Sequence, residues 1–372
     1  MLRTYPPTSF VALALIILAG CRAFDREQYR TLQANADTGT DDADASAPGS
    51  CLALRVDGGA ACTRAVVPSP PAALADQPGN GRTYVLAARR IEIGPSSFGN
   101  WRQIGFDLDG ICSDSSGGSP RSCTATQTVV DGDDGRDNAF GSAVATGLHV
   151  MDTFRDMTLS ETMAAGRLTV GVRITEWGGG DDRRVSFEWL HLVEGRGASG
   201  STLNWDGMDR WKIEPSYSLA TDRMTTAIRS SDAFVACGYS VARLPSRVPV
   251  VLLSGTQQRL VTLRSTVLAG AFDPVNGGIA DAAGVWVRED IVQSLPWFGV
   301  CPPPNGPMDV FNDRVSGIER NFDIREDFVP APMMPCTAAT IALRFELRPV
   351  QLDGVATTAL PTIPPCTADA GM

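Results

Sequence analysis

Alternation of apolar and polar side chains is the clearest pattern in this chain. Over 168–174, Leu168, Val170, Val172 and Ile174 share one face; over 185–193, Val185, Phe187, Trp189, His191 and Val193 do the same. A period of two is that of a strand with one face buried. Between these runs, Trp177 and three glycines make a turn segment, so the two strands are predicted to form a hairpin. A second hairpin is predicted from 259–268 through the turn at 273–278 to 284–287. The run 339–347 alternates as well, with Ile341, Leu343, Phe345 and Leu347 on one face, and 84–88 and 248–253 are further strands. Helices are predicted over 139–154, 160–165 and 288–295, the last stopped by Pro296. Many short strands and few helices predict a mainly β fold: an antiparallel β-sandwich-like body with a few short helices.

That body is expected over 82–352, with a sub-boundary near 230–249 and a C-terminal tail at 353–372. Residues 1–20 read as a lipoprotein signal peptide: Arg3, an unbroken apolar run over 10–18, then Ala19 and Gly20 before Cys21. The run is too short to span a bilayer as a helix, which takes about 20 apolar residues. Leu18-Ala-Gly-Cys21 resembles the bacterial lipobox, which implies a diacylglycerol on the Cys21 thiol. Residues 21–81 then form a lipid anchor and an acidic, Ala- and Pro-rich tether. Its few large apolar residues cannot offset the entropy of ordering it.

Export changes the reading of the other eight cysteines. Cys51, Cys62, Cys112, Cys123, Cys237, Cys301, Cys336 and Cys366 make an even set in an oxidising compartment, so the body is expected to be disulfide-stapled. Local spacing favours Cys51–Cys62 and Cys112–Cys123, with Cys301–Cys336 third and Cys237–Cys366 left by elimination; sequence alone does not choose among the alternatives. The net charge of −10, or −11 once Arg3 is removed with the signal, argues against a nucleic-acid partner. The membrane, through Cys21, is the expected partner. Arg22 after the acylated cysteine, in place of an aspartate that would resemble an inner-membrane retention signal, points to the outer membrane, on its periplasmic or cell-surface face.

Short motifs carry one further resemblance. The segment 106–112 with Cys123, the acidic stretch 131–141, the run 165–170 and the run 336–345 resemble a group of uncharacterised secreted lipoproteins of the myxobacterial type. The resemblance spans most of 105–350. It implies export and a coherent body, and brings no known activity with it.

Candidate chemistry concentrates in two acidic loops. Asp107, Asp109 and Asp114 lie in one; Asp131, Asp133, Asp134, Asp137 and Asn138 lie in the other. Were Cys112 paired with Cys123, the two loops would be drawn together. Calcium takes about six to eight oxygen ligands from carboxylates, amides and carbonyls, so these eight residues are the candidate calcium ligands. The pattern is no EF-hand, because Gly135 stands where a third acidic ligand belongs. The competing reading is turn chemistry, with Asp137 at a helix N-cap.

Catalytic patterns are sparse. Of two histidines, His191 falls on the apolar face of a predicted strand and reads as a packed core residue, while His149 and Asp152 could share a helix face. Neither His-Glu-x-x-His, Gly-x-Ser-x-Gly nor a phosphate-cradling glycine–lysine loop occurs. Glu176, Glu188 and Glu194 near the first hairpin are the carboxylates a glycan hydrolase could use. Trp177, Trp205, Trp211 and Trp297, in or near turns, are the rings a sugar could stack on. The chain therefore reads as an exported, lipid-anchored, non-enzymatic binding or structural lipoprotein, calcium-stabilised, with a glycan or protein ligand. The alternative is a secreted glycan hydrolase with paired carboxylates on a β-scaffold.

Overall fold

A computed structural model describes residues 64–94, 100–113, 121–145, 156–200, 202–219, 222, 224–245, 247–360 and 366. The predicted signal peptide, Cys21 and most of the predicted tether lie outside them. Among the described residues there are eleven strands: β1 (Tyr84–Glu92), β2 (Leu168–Thr175), β3 (Asp182–Arg196), β4 (Arg210–Ile213), β5 (Arg229–Ala236), β6 (Tyr239–Arg243), β7 (Val248–Ser254), β8 (Gln257–Gly270), β9 (Phe272–Asp273), β10 (Gly277–Val287) and β11 (Ala338–Val355). Three α-helices accompany them: α1 (Asp156–Ala164), α2 (Arg288–Ser294) and α3 (Met308–Glu319).

Mainly β is what the alternation predicted, but the strands close on themselves. Going round, β1 pairs β2, β2 pairs β3, and the ring continues through β5, β6, β8, β10 and β11 back to β1, every pairing antiparallel. The fold is therefore an eight-stranded antiparallel barrel, which corrects the expected sandwich. Two sheets stacked face to face would leave edges; here Val85 pairs with Val350 and the first and last long strands share a ladder. Both predicted hairpins form: Leu168 lies opposite Val193, and Ala282 opposite Leu268. Strands β5 and β6 span 229–243 and both belong to the ring.

The interior is filled by side chains. All eight ring strands send alternate residues into one core, among them Leu86, Val172, Phe187, Trp189, Ala233, Ala242, Leu268, Ala282, Leu343 and Phe345. Small residues on β5, β6 and β10 leave room for the rings of β3 and β11. Trp189 meets Phe345 edge-on at 5.9 Å, and Phe187 meets Phe272 at 6.2 Å, separations at which edge-to-face packing is favourable.

The outer faces of the strands are apolar as well, and the chain covers them with its own segments. Phe234, Val241, Val267 and Ala342 lie under Ile104 and Phe106, with Val67 and Leu74 of the incoming chain beside them. On another side Val85, Ala87, Leu190 and Leu192 lie under Trp211 and Ile213 of β4. Helix α1 packs on β1, β2 and β7, and α2 on β8 and β10.

Two disulfides join cysteines that both lie among the described residues: Cys123–Cys336 and Cys301–Cys366. They replace the expected Cys112–Cys123, Cys301–Cys336 and Cys237–Cys366 pairs. Spacing favoured short loops, whereas the barrel brings together segments 213 residues apart. Cys112 and Cys237 are also disulfide-bonded; Cys51 and Cys62 lie outside the described residues.

Candidate metal centre

Four segments meet at one place on the outside of the barrel. The loop at 104–113 is fixed there because Ile104 and Phe106 are drawn onto the apolar outer face. Its backbone is tied to the second acidic loop: Asp137 donates its N–H to Phe106 O at 3.0 Å, and Arg136 Nη1 donates to Gly105 O at 2.5 Å. The incoming chain adds a third segment, with Val66 bridged to Asp107 in parallel. The fourth is the turn before β11, where Ile324 bridges to Ala338 and carries Asp323 inward. Gly135 shows how close the approach is: a Cβ there would stand 2.7 Å from Cys112 Sγ, and its φ of +67° suits glycine.

Oxygen atoms of Asp107, Asp109 and Asp137 lie within 4.8 Å of one another. That spread is about twice a calcium–oxygen bond of 2.3–2.6 Å, so one ion could touch all three. Each carboxylate is oriented by backbone donors. Asp107 Oδ1 accepts from Gly110 N at 2.7 Å, Asp109 Oδ1 from Ile111 N at 2.8 Å, and Asp137 Oδ2 from Leu108 N at 2.6 Å. Asp131 accepts from Ser113 N. Asp323 accepts from Thr340 through both oxygens, and Thr340 Oγ1 in turn accepts from Ala139 N.

These carboxylates are short of positive charge. Among the described residues one ion pair reaches them, Arg64 Nε at 3.1 Å from Asp107 Oδ2. That oxygen is buried and accepts no hydrogen bond. Burial is the main reason that protons are held tightly here, because taking a charged carboxylate out of water is costly. Burial pushes Asp107 up to about 6, against the hydrogen bond from Gly110 and the charge of Arg64. Asp131 rises to about 8 and Asp323 to about 7, again by burial first, with neighbouring aspartates adding to it. Asp137 and Asp109 are raised too, each by burial above all.

The eight predicted ligands thus divide. Asp107, Asp109 and Asp137 come together, and Asp131 lies close enough for its charge to act on Asp137. Asp133 and Asp134 are exposed on a 3-10 turn, facing away from a buried centre. Asn138 spends its Oδ1 on Gly141 N and Ala342 N, so it starts the short helical segment at Phe140–Val144 and ties it to β11. The helix-starting role expected of Asp137 belongs to Asn138. Asp114 lies outside the described residues. Asp323 was missed in the sequence, since it lies 186 residues after Asp137 and only the barrel's closure delivers it.

Other expected sites are absorbed by the fold. Glu188 pairs with Arg173, and Glu194 with Lys212 and Arg196, while Glu176 is exposed in the β2–β3 turn. Trp177, Trp211 and Trp297 are buried and Trp205 half-buried, which corrects the expectation of exposed rings. Trp177 packs on Tyr84 at 5.1 Å and donates to Gly180 O, so a ring near a turn still serves the core. His191 is a packed histidine, its Nε2 at Pro249 O and its ring 4.2 Å from Tyr217; burial lowers it to about 4. His149 and Asp152 lie outside the described residues. No protein-family model matches the chain, and no curated protein or solved structure matches it either.

Proposed function

We propose that this chain is an exported lipoprotein, anchored through Cys21, whose barrel is a non-enzymatic binding or structural body stapled by calcium. The observation that carries the calcium part is the imbalance of charge at the junction. Asp107, Asp109 and Asp137 bring oxygens within 4.8 Å of one another, with Asp131 and Asp323 adding charge, against one ion pair, to Arg64, among the described residues. A divalent cation there would offset the repulsion and join four segments of the outer layer. Supporting export, all six described cysteines outside the predicted leader and tether are disulfide-bonded, the chemistry of an oxidising compartment. The resemblance to secreted lipoproteins of the myxobacterial type agrees with this, and the outer membrane is the destination we favour. A body whose interior is filled with side chains offers its outer surface to a glycan or protein ligand.

The test is a melting curve of the mature chain in calcium and then in excess chelator, with calorimetric titration of calcium beside it. Calcium should raise the melting temperature, and Asp107→Asn with Asp109→Asn should abolish the rise. No uptake of calcium and no change on chelation would sink the metal centre and return these aspartates to turn chemistry.

A further inference from the structure

Between Asp327 and Cys336 the chain runs Phe-Val-Pro-Ala-Pro-Met-Met-Pro, without a charge. In a protein that covers its apolar faces with such care, this loop stands in water. Met333 is 91 % exposed, Val329 57 % and Met334 52 %, and Pro330, Pro332 and Pro335 are exposed beside them. The loop is not loosely held. Ala331 N donates to Ser122 O, Thr124 N to Met334 O at 2.7 Å and Cys336 N to Thr124 O at 3.1 Å, and the Cys123–Cys336 disulfide closes its end. Three prolines fix φ along it and remove amide donors. Phe328 turns inward onto Ile324, but the side chains of Val329, Met333 and Met334 are left outside, and a fixed, exposed apolar stretch marks a contact surface.

The position of the loop says what it contacts. Phe328, where the loop starts, packs against the same apolar cluster as Leu108. Next to Leu108, Asp107 holds Arg64, the point where the described chain begins. The 43 residues from Cys21 to position 63 therefore join the body beside this loop. Those residues are the covalent link between an anchor on Cys21 and the body, and the link enters the body on this side. We propose that residues 329–335 form a membrane-contact site, with Val329, Met333 and Met334 in the apolar boundary of the bilayer that holds the lipid. The proposal rests on the lipoprotein reading above. The site takes a lipid surface without charge selection of its own, since the loop offers no cation to an anionic headgroup.

Methionine oxidation reads this without a substitution in the loop. The mature acylated chain is placed in phosphatidylcholine vesicles and treated briefly with peroxide, and sulfoxide at each methionine is measured by mass spectrometry. Met157, 63 % exposed on α1, serves as reference. Relative to Met157, Met333 and Met334 should oxidise about fivefold more slowly in vesicles than in the vesicle-free Cys21→Ser chain, because apolar residues at the lipid boundary are withdrawn from water. An unchanged ratio overturns the proposal. So does protection in the vesicle-free chain, which would assign the loop to a second copy. Should the N-terminal peptide carry no diacylglycerol, the lipoprotein reading fails separately. A diacyl lipid coupled by maleimide to the Cys21 thiol then restores the geometry, with the same two outcomes.

Discussion

Two buried acidic sites in this molecule handle charge in opposite ways. Asp290, fully buried at the start of α2, has Arg247 on one oxygen and Arg264 on the other, and Asp281 is gripped by Arg344 through both of its oxygens. Each of these carboxylates has at least one guanidinium of its own. At the junction of the acidic loops, five aspartates have one ion pair among the described residues, that of Arg64 with Asp107. The same residue type, withdrawn from water in both, is a finished ion pair in one place and an open demand for positive charge in the other. Calcium or protons can meet that demand, and the two compete for the same oxygens.

The comparison is broken most forcefully at its balanced side. Replacing Arg344 with alanine strands the Asp281 carboxylate among Gly105, Ala282 and the barrel wall, and should cost about 3–5 kcal/mol, read as a large fall in the chemical-denaturation midpoint. The charge-poor side is tested by its proposed ligand: calcium at about 100 times its dissociation constant should add about 2.7 kcal/mol, seen as a higher melting temperature. Equal sensitivity to calcium in the Asp107→Asn chain would separate the effect from this junction.

Proton competition sharpens the contrast further. Asp107, Asp323 and Asp131 hold protons up to about 6, 7 and 8 in the folded chain, well above their unfolded value. The folded state therefore binds more protons than the unfolded one, and their stabilising contribution is complete below about pH 4 and lost as pH rises through 6 to 8. In chelator, stability from these groups should fall over that window. The calcium-induced rise in melting temperature should grow over the same window, because the ion binds the ionised oxygens. A calcium shift that is flat from pH 5 to 8 would contradict this. Last and smallest, Arg64→Gln should lower stability in chelator by about 1 kcal/mol, the scale of one charged contact, and enlarge the calcium shift.

Local pattern made most of the strands legible. Leu168–Thr175 and the heart of β11 stand where period-two alternation puts them, Val248–Ser254 covers a further expected strand, and α2 stops before Pro296 as expected. Strand β5, Arg-Ser-Ser-Asp-Ala-Phe-Val-Ala, begins too polar to announce itself, and β6 has five residues. Helix α3 was legible and overlooked, since Phe311, Val315 and Ile318 recur at helical spacing on its buried side. Barrel closure was not legible, because it depends on which strands pair across 250 residues and no local period encodes that. The same holds for the site: Asp107, Asp109 and Asp137 could be named from acidic loops, while Asp323 and the partner of Cys123 are consequences of closure alone.

That closure also sets a clock. Because β1 completes its ladder with β11, the ring has no stable half: 245 residues separate Glu92 from Ala338. At about 5–20 residues per second, synthesis delivers the last strand roughly 12–50 s after the first. Throughout that interval the chain has no finished barrel to fall into. On the export proposed above, the chain would gain from its topology the delay it needs to cross a membrane as a thread, with its final strand acting as the latch.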